Sequence, residues 1–217
     1  MTLRSAAWTG AALAAIGIGG LTFTAVAGAT GPRLPWTQGH TAVGMMGAWG
    51  AGGEAAATGL INNVRLAALV DQGKAGASID ARTDTVSYAG RAATIVALAS
   101  PHGQPNMTWE IDGLVNPTVV VRSGTPVTVD LVNTDWGYRH GFDLTTTPPP
   151  YPRMAMMGIS TEFLLMPLPE RTSKNLAASE YYTRSGTVSL SPGTYYYLCP
   201  VPGHVQQGMH GTFQVSA

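Results

Sequence analysis

The sequence contains a single cysteine, Cys199, in 217 residues. No intramolecular disulfide can form, which excludes the cysteine-dense scaffold of small secreted domains. Charge is scarce as well. Asp, Glu, Lys and Arg make up 11% of the chain, twelve acidic groups against twelve basic ones. The basic residues are scattered, so the electrostatic footprint of a nucleic-acid-binding protein is missing. No second short-spaced pair of cysteines or histidines accompanies Cys199, as a structural zinc site would require.

What the N-terminus has instead is a long uncharged stretch. Residues 5–30 carry no charge and are rich in Ala, Gly, Ile, Leu and Val, with Arg4 ahead of them. This predicts an export signal, with Ala25-Val26-Ala27 as a small-x-small cleavage site. The stretch is also long enough to span a bilayer, for which about 20 apolar residues suffice, so an uncleaved membrane anchor is the other reading. Both place the rest of the chain outside the cytoplasm. Residues 31–55 are rich in Gly, Ala and Met without periodicity and read as a linker or arm.

The chemistry concentrates near the C-terminus, where Cys199, His204 and Met209 are evenly spaced in Cys199-Pro-Val-Pro-Gly-His204-Val-Gln-Gln-Gly-Met209. A thiolate, an imidazole and a thioether on one loop are the soft and borderline ligands copper takes in a trigonal His₂Cys site with a weak axial Met. Thioether is a poor match for zinc. The missing imidazole is assigned to His140, at the end of the loop after the strand-like run Val127–Val132. An inert buried cysteine is the plain alternative for Cys199, and the flanking His204 and Met209 argue against it. His210, adjacent to Met209, should point the other way along a strand. His102 reads as a loop residue.

Pro200 and Pro202 stiffen the ligand loop and remove two N–H donors from the neighbourhood of the Cys199 sulfur. Fewer donors leave the thiolate electron-rich, but the apolar surround solvates Cu(II) poorly, and this second effect predicts a rigid site of high reduction potential. Pro200, Val201, Pro202, Val205 and Met209 are expected to frame His204 with an apolar rim for transient docking.

For the body of the chain, apolar residues from about Ala55 to Asp71 (Leu60, Ile61, Val64, Ala67, Leu69) predict one amphipathic helix, ended by Gly73. After it come short β-branched and aromatic runs: 85–88, 93–98, 108–111, 118–121, 127–132, 142–145, 187–190, 194–198 and 212–215. They predict an all-β antiparallel sandwich. Residues 146–185, with Pro148-Pro149-Pro150 and Met154, Met156, Met157 and Met166, read as a long loop whose methionines fill gaps.

The run Gly193-Thr-Tyr-Tyr-Tyr-Leu-Cys199-Pro-Val-Pro-Gly-His204, followed by Gly208-Met209, closely resembles the copper loop of the cupredoxins, and within them of the rusticyanin type. Asn133-Thr134 before His140, Phe142-Asp143 after it, and Pro149-Pro150-Tyr151 resemble the same family, as do, more weakly, Thr85–Tyr88 and Val64–Gln72. The likeness covers most of residues 60–217. It implies a Greek-key β-sandwich of a six- and a seven-stranded sheet with an N-terminal helical extension, the domain being residues 56–217. It further implies one type 1 copper held by His140, Cys199, His204 and Met209, and a monomeric electron carrier rather than an enzyme. Such carriers take electrons from ferrous iron in acidophilic bacteria and pass them to partners such as a c-type cytochrome or an oxidase. Gly141 stands where the family leads one to expect a hydroxyl residue.

Two rival functions fit less of the sequence. An oxidase or nitrite reductase domain passes electrons to a second copper through histidines flanking the cysteine. Here the flanks are Leu198 and Pro200, and no His-x-His pair occurs. A copper chaperone or storage protein would bind Cu(I) through Met and His, and the methionines of 154–166 are the feature in its favour.

Overall fold

The computed structural model of the protein describes residues 59–217. The predicted leader (1–30) and arm (31–55) lie outside the described residues. In chain order the elements are β1 (Gly59–Asn62), α1 (Asn63–Lys74), β2 (Ala77–Asp80), β3 (Thr85–Tyr88), β4 (Ala93–Ala99), β5 (Trp109–Ile111) and β6 (Leu114–Val115). They continue as β7 (Thr118–Arg122), β8 (Val127–Asn133), β9 (His140–Thr145), β10 (Thr161–Leu168), β11 (Glu180–Val188), β12 (Gly193–Leu198) and β13 (His210–Ser216).

The strands form a sandwich of a six-stranded sheet, ordered β1-β11-β8-β4-β5-β6, and a seven-stranded sheet, ordered β10-β9-β12-β13-β7-β3-β2. Neither order follows the sequence, so the chain crosses repeatedly between sheets. Most pairings are antiparallel, but β4 with β8, β3 with β7 and β7 with β13 run parallel.

Alternation along the strands builds the core. Ile95, Ala97 and Ala99 of β4 point into it beside Val127, Val129 and Leu131 of β8. The other face of β4 is buried too, because α1 covers it: Val96 and Leu98 pack with Leu69, and with part-buried Leu66 and Val70. That is why β4 reads as a continuous apolar run.

The helix differs from its predicted limits. Leu60 and Ile61 belong to β1, which pairs with Tyr182 and Tyr181 of β11. Asn62 caps the helix, its side chain accepting from the Arg65 N–H at 2.9 Å. The buried stripe is Leu66, Leu69, Val70 and Gly73, while Val64 is exposed. Gly73 does not end the helix. A Cβ there would sit 3.0 Å from Val96 Cγ2, so glycine lets the helix lie close on β4.

The predicted long loop 146–185 contains β10 and the first half of β11. β10 pairs with β9 through two register shifts, one of them next to Pro167. Met154, Met157 and Met166 are exposed rather than filling gaps. The segment before β10 lies on the outer face of the second sheet, where Ala155, Tyr151 and Ile159 pack on Leu198 and Val205. β9, next to β12 in this sheet, is buried along its whole length.

Candidate metal centre

His140 opens β9, Cys199 directly follows β12, and His204 and Met209 lie in the loop between β12 and β13. Because β12 pairs with β9 on one side and β13 on the other, Leu198 stands opposite both Asp143 and His210. This register brings a strand start and a strand end to the same edge of the core. Phe142 and Tyr197 stack at 5.7 Å beneath it, and Trp109 meets Phe142 edge-on at 5.4 Å.

The ligand loop is held from several sides. The Cys199 N–H donates to the Met209 carbonyl at 3.0 Å, and the Met209 N–H to the His204 carbonyl at 3.3 Å. Gly208, at φ +104°, makes the left-handed turn that lets the chain double back to Met209. The Asn116 amide donates to the Gly208 carbonyl at 2.9 Å. The Gly203 N–H donates to the Arg153 carbonyl at 3.0 Å, and the Gln206 amide to the carbonyls of Tyr151 and Pro152.

Within this frame the Nδ1 atoms of His140 and His204 lie 3.2 Å apart. The Cys199 sulfur is 3.7 Å from the first and 3.4 Å from the second. A point equidistant from three corners so spaced is about 2.0 Å from each, a metal–ligand bond length. His140, Cys199 and Met209 are fully buried, and His204 is 5% exposed. Met209 packs in the same core cluster as Cys199.

Electrostatics point the same way. Burial pushes the Cys199 thiol up to about 12, opposed in part by the backbone N–H groups of Val201 and Gly141. Burial brings His204 down to about 4, with the His140 ring adding to the shift and Asp135 opposing it. Two imidazoles and a buried sulfur that needs a cation to become a thiolate form the trigonal His₂Cys donor set of copper. The residues present fit that metal.

The two other histidines among the described residues fall outside the cluster. His210 stacks edge-on against Tyr151 at 5.7 Å on the outer face, and His102 lies in an exposed turn. The expected rim is only partly right: Val205 and Met209 are buried, whereas Trp136 and Tyr138, on the loop before His140, are exposed. Tyr138 meets the His204 ring edge-on at 5.9 Å. The donors near sulfur also differ from expectation, because removing the N–H of Pro200 still leaves that of Val201.

A rusticyanin of Acidithiobacillus ferrooxidans is 34% identical over 133 residues, which is 61% of this chain and 67% of that protein. Another from the same species is 35% identical over 131 residues, covering 59% of this chain and 79% of the relative. The chain belongs to the rusticyanin family. No family model matches it. Among solved structures, the 1.27 Å rusticyanin from Thiobacillus ferrooxidans superposes with a TM-score of 0.64 at 28% identity, over 74% of this chain and 97% of that one. A reduced rusticyanin superposes with a TM-score of 0.62 at 27% identity, over 74% of this chain and all of that one. The six- and seven-stranded sandwich is therefore a rusticyanin-type cupredoxin fold, and the sheet edge carrying the His-Cys-His triangle is its metal end.

One site residue escaped the sequence reading. Asp135 lies against His140, and the signal was a carboxylate in the short loop Asn133-Thr134-Asp135 just ahead of the ligand histidine.

Proposed function

We propose that this protein is a one-electron carrier with a single type 1 copper held by the Nδ1 atoms of His140 and His204, the Cys199 thiolate and the Met209 thioether. Copper, when bound, supplies the change between Cu(II) and Cu(I). The observation that carries the reading is the triangle of two imidazole nitrogens and one sulfur, buried and spaced for one metal ion.

The protein's part is to hold that arrangement still. His140 is fixed at the start of β9, and the other three ligands sit on a loop tied across itself between Cys199, His204 and Met209. A donor set that does not move between oxidation states keeps reorganisation small. Burial of Cys199, His140 and Met209 excludes water and disfavours the more highly charged metal ion. The backbone donors at the sulfur withdraw electron density from the thiolate. Both effects raise the potential, which supports a high-potential carrier.

We further assign residues 1–30 to export or membrane attachment, residues 31–55 to an arm, and the site to the extracytoplasmic side. Among the described residues no helix is long and apolar enough to cross a membrane. The exposed Tyr138 beside His204 suits docking of a redox partner such as a c-type cytochrome or an oxidase, in a chain fed by ferrous iron. The exposed Met154 and Met157 are the observation favouring a chaperone or storage role, but the enclosed triangle suits retention of one ion better than its transfer.

Equilibrium redox titration of the copper-loaded chain, followed by its visible absorption, tests the reading. A reversible one-electron midpoint above that of aqueous copper is expected. A midpoint below it contradicts the high-potential carrier, and two or more copper ions per chain with no visible colour would favour storage.

A further inference from the structure

The loop between β8 and β9 brings a carboxylate to the rear of one ligand. Asp135 Oδ2 lies 2.8 Å from Nε2 of His140, with the imidazole fully buried and the carboxylate side chain 11% exposed. The backbone of Asp135 is fixed on both sides: its N–H donates to Asn133 Oδ1 at 3.0 Å, and its carbonyl accepts from the Arg171 N–H at 2.9 Å. Those two residues are anchored in turn. Asn133 Nδ2 donates to the carbonyls of Tyr138 and Pro169 at 2.9 and 2.8 Å, and Arg171 Nη1 donates to the Thr134 carbonyl at 2.9 Å.

We propose that Asp135 is a positioning and tuning residue: it fixes the tautomer of His140 and lowers the reduction potential of the copper held there. The inference rests on the copper reading above. A carboxylate accepts and cannot donate, so the shared proton belongs on Nε2 of His140. That leaves the Nδ1 lone pair free, facing His204 and Cys199. A carboxylate behind a ligand imidazole also makes it a stronger donor, as in carboxylate–histidine–metal arrangements. Its negative charge favours the oxidised metal by direct attraction, weakly screened because both groups are withdrawn from water. Both effects oppose those of burial and of the backbone donors at the Cys199 sulfur. Asp135 thus holds the potential down against burial and the sulfur donors, as the Met209 thioether does by donating to the oxidised ion.

The loop does not depend on the Asp135 carboxylate, because the backbone groups of Asp135 and the Asn133 side chain already fasten it. Asp135→Asn should therefore fold, bind copper and keep an acceptor oxygen for His140, while losing the charge. Wild type, Asp135→Asn and Asp135→Ala are compared as full chains at one pH for copper content, oxidised-to-reduced ratio at a set applied potential, and ¹⁵N NMR of the metal-free imidazoles. At the same applied potential, Asp135→Asn should favour the reduced form about tenfold more, equivalent to about 59 mV upward for one electron. Asp135→Ala should lose copper affinity by about 10- to 100-fold. In metal-free wild type the His140 proton should reside on Nε2. Copper-loaded Asp135→Asn with an unchanged ratio, or a His140 proton on Nδ1 in the metal-free wild type, overturns this inference alone. A wild-type chain that takes up no copper overturns the copper reading and this inference with it.

Discussion

Gly141 and Leu165 approach so closely across the β9–β10 pair that a Cβ on Gly141 would lie 2.9 Å from the Leu165 carbonyl oxygen and 3.0 Å from the Pro167 nitrogen. A hydroxyl residue therefore has no room beside His140 in this chain. The glycine keeps its own part in the site through the N–H that acts on the Cys199 sulfur. Gly141→Ser should cost about 1–3 kcal/mol through overpacking and weaken copper retention by displacing His140. Thermal unfolding with and without copper checks both. Unchanged stability would mean that β10 yields without cost.

Met209 closes the ligand loop from within the core, its backbone tied to Cys199 and His204. Met209→Leu keeps nearly the same volume, so the fold and the three strong ligands should persist. One copper should remain bound and the midpoint should move upward, because a weak donor to the oxidised ion is lost. Loss of copper in this variant would contradict an axial role for the thioether.

Asp143 is fully buried with one oxygen unpartnered and the other accepting from the Thr161 hydroxyl at 3.0 Å. Burial pushes its carboxyl up to about 7 from the ordinary 3.8, with Thr161 opposing. The folded state therefore keeps a proton that the unfolded chain releases, and the stability tied to it is full below about 3.8 and lost as pH rises to about 7. The slope in that window is at most about 1.4 kcal/mol per pH unit. Denaturant unfolding should show wild type gaining stability relative to Asp143→Asn on acidification through this range, while His204, brought down to about 4, slopes the other way in both proteins. Equal slopes in the two proteins would contradict it.

Docking should depend little on salt. With 11% charged residues and exposed Trp136 and Tyr138 on the loop before His140, the approach surface offers little electrostatic steering. Electron-transfer rates with a soluble c-type cytochrome, measured by stopped flow, should change less than severalfold between low and high ionic strength. A steep fall with added salt would place the contact on charged groups instead.

Two corners of the His140–Cys199–His204 triangle were legible because Cys199 and His204 are near neighbours in the chain and, with Met209, an unusual combination of residue types. His140 was also legible, since only one histidine ends a loop after a strand-like run. Asp135 was not: its place behind His140 depends on bonds from Asn133 and Arg171, the second from a distant segment. Leu60 and Ile61 have helical spacing with Val64, and only the partner strand β11 makes them β1. β10 was hidden by Pro167, by Met166 and by its irregular register with β9, which together read as loop. The inward alternation of Phe163, Leu165 and Leu168 is visible once β9 is known to lie beside them.

The thiolate–copper site is tested by the visible absorption spectrum of the oxidised protein loaded with Cu(II), together with its copper content and that of Cys199→Ser. One copper per chain with an intense blue band, lost in Cys199→Ser, is the predicted result, because the colour arises from charge transfer out of the thiolate. A colourless protein, or a blue band that survives in Cys199→Ser, would contradict the site.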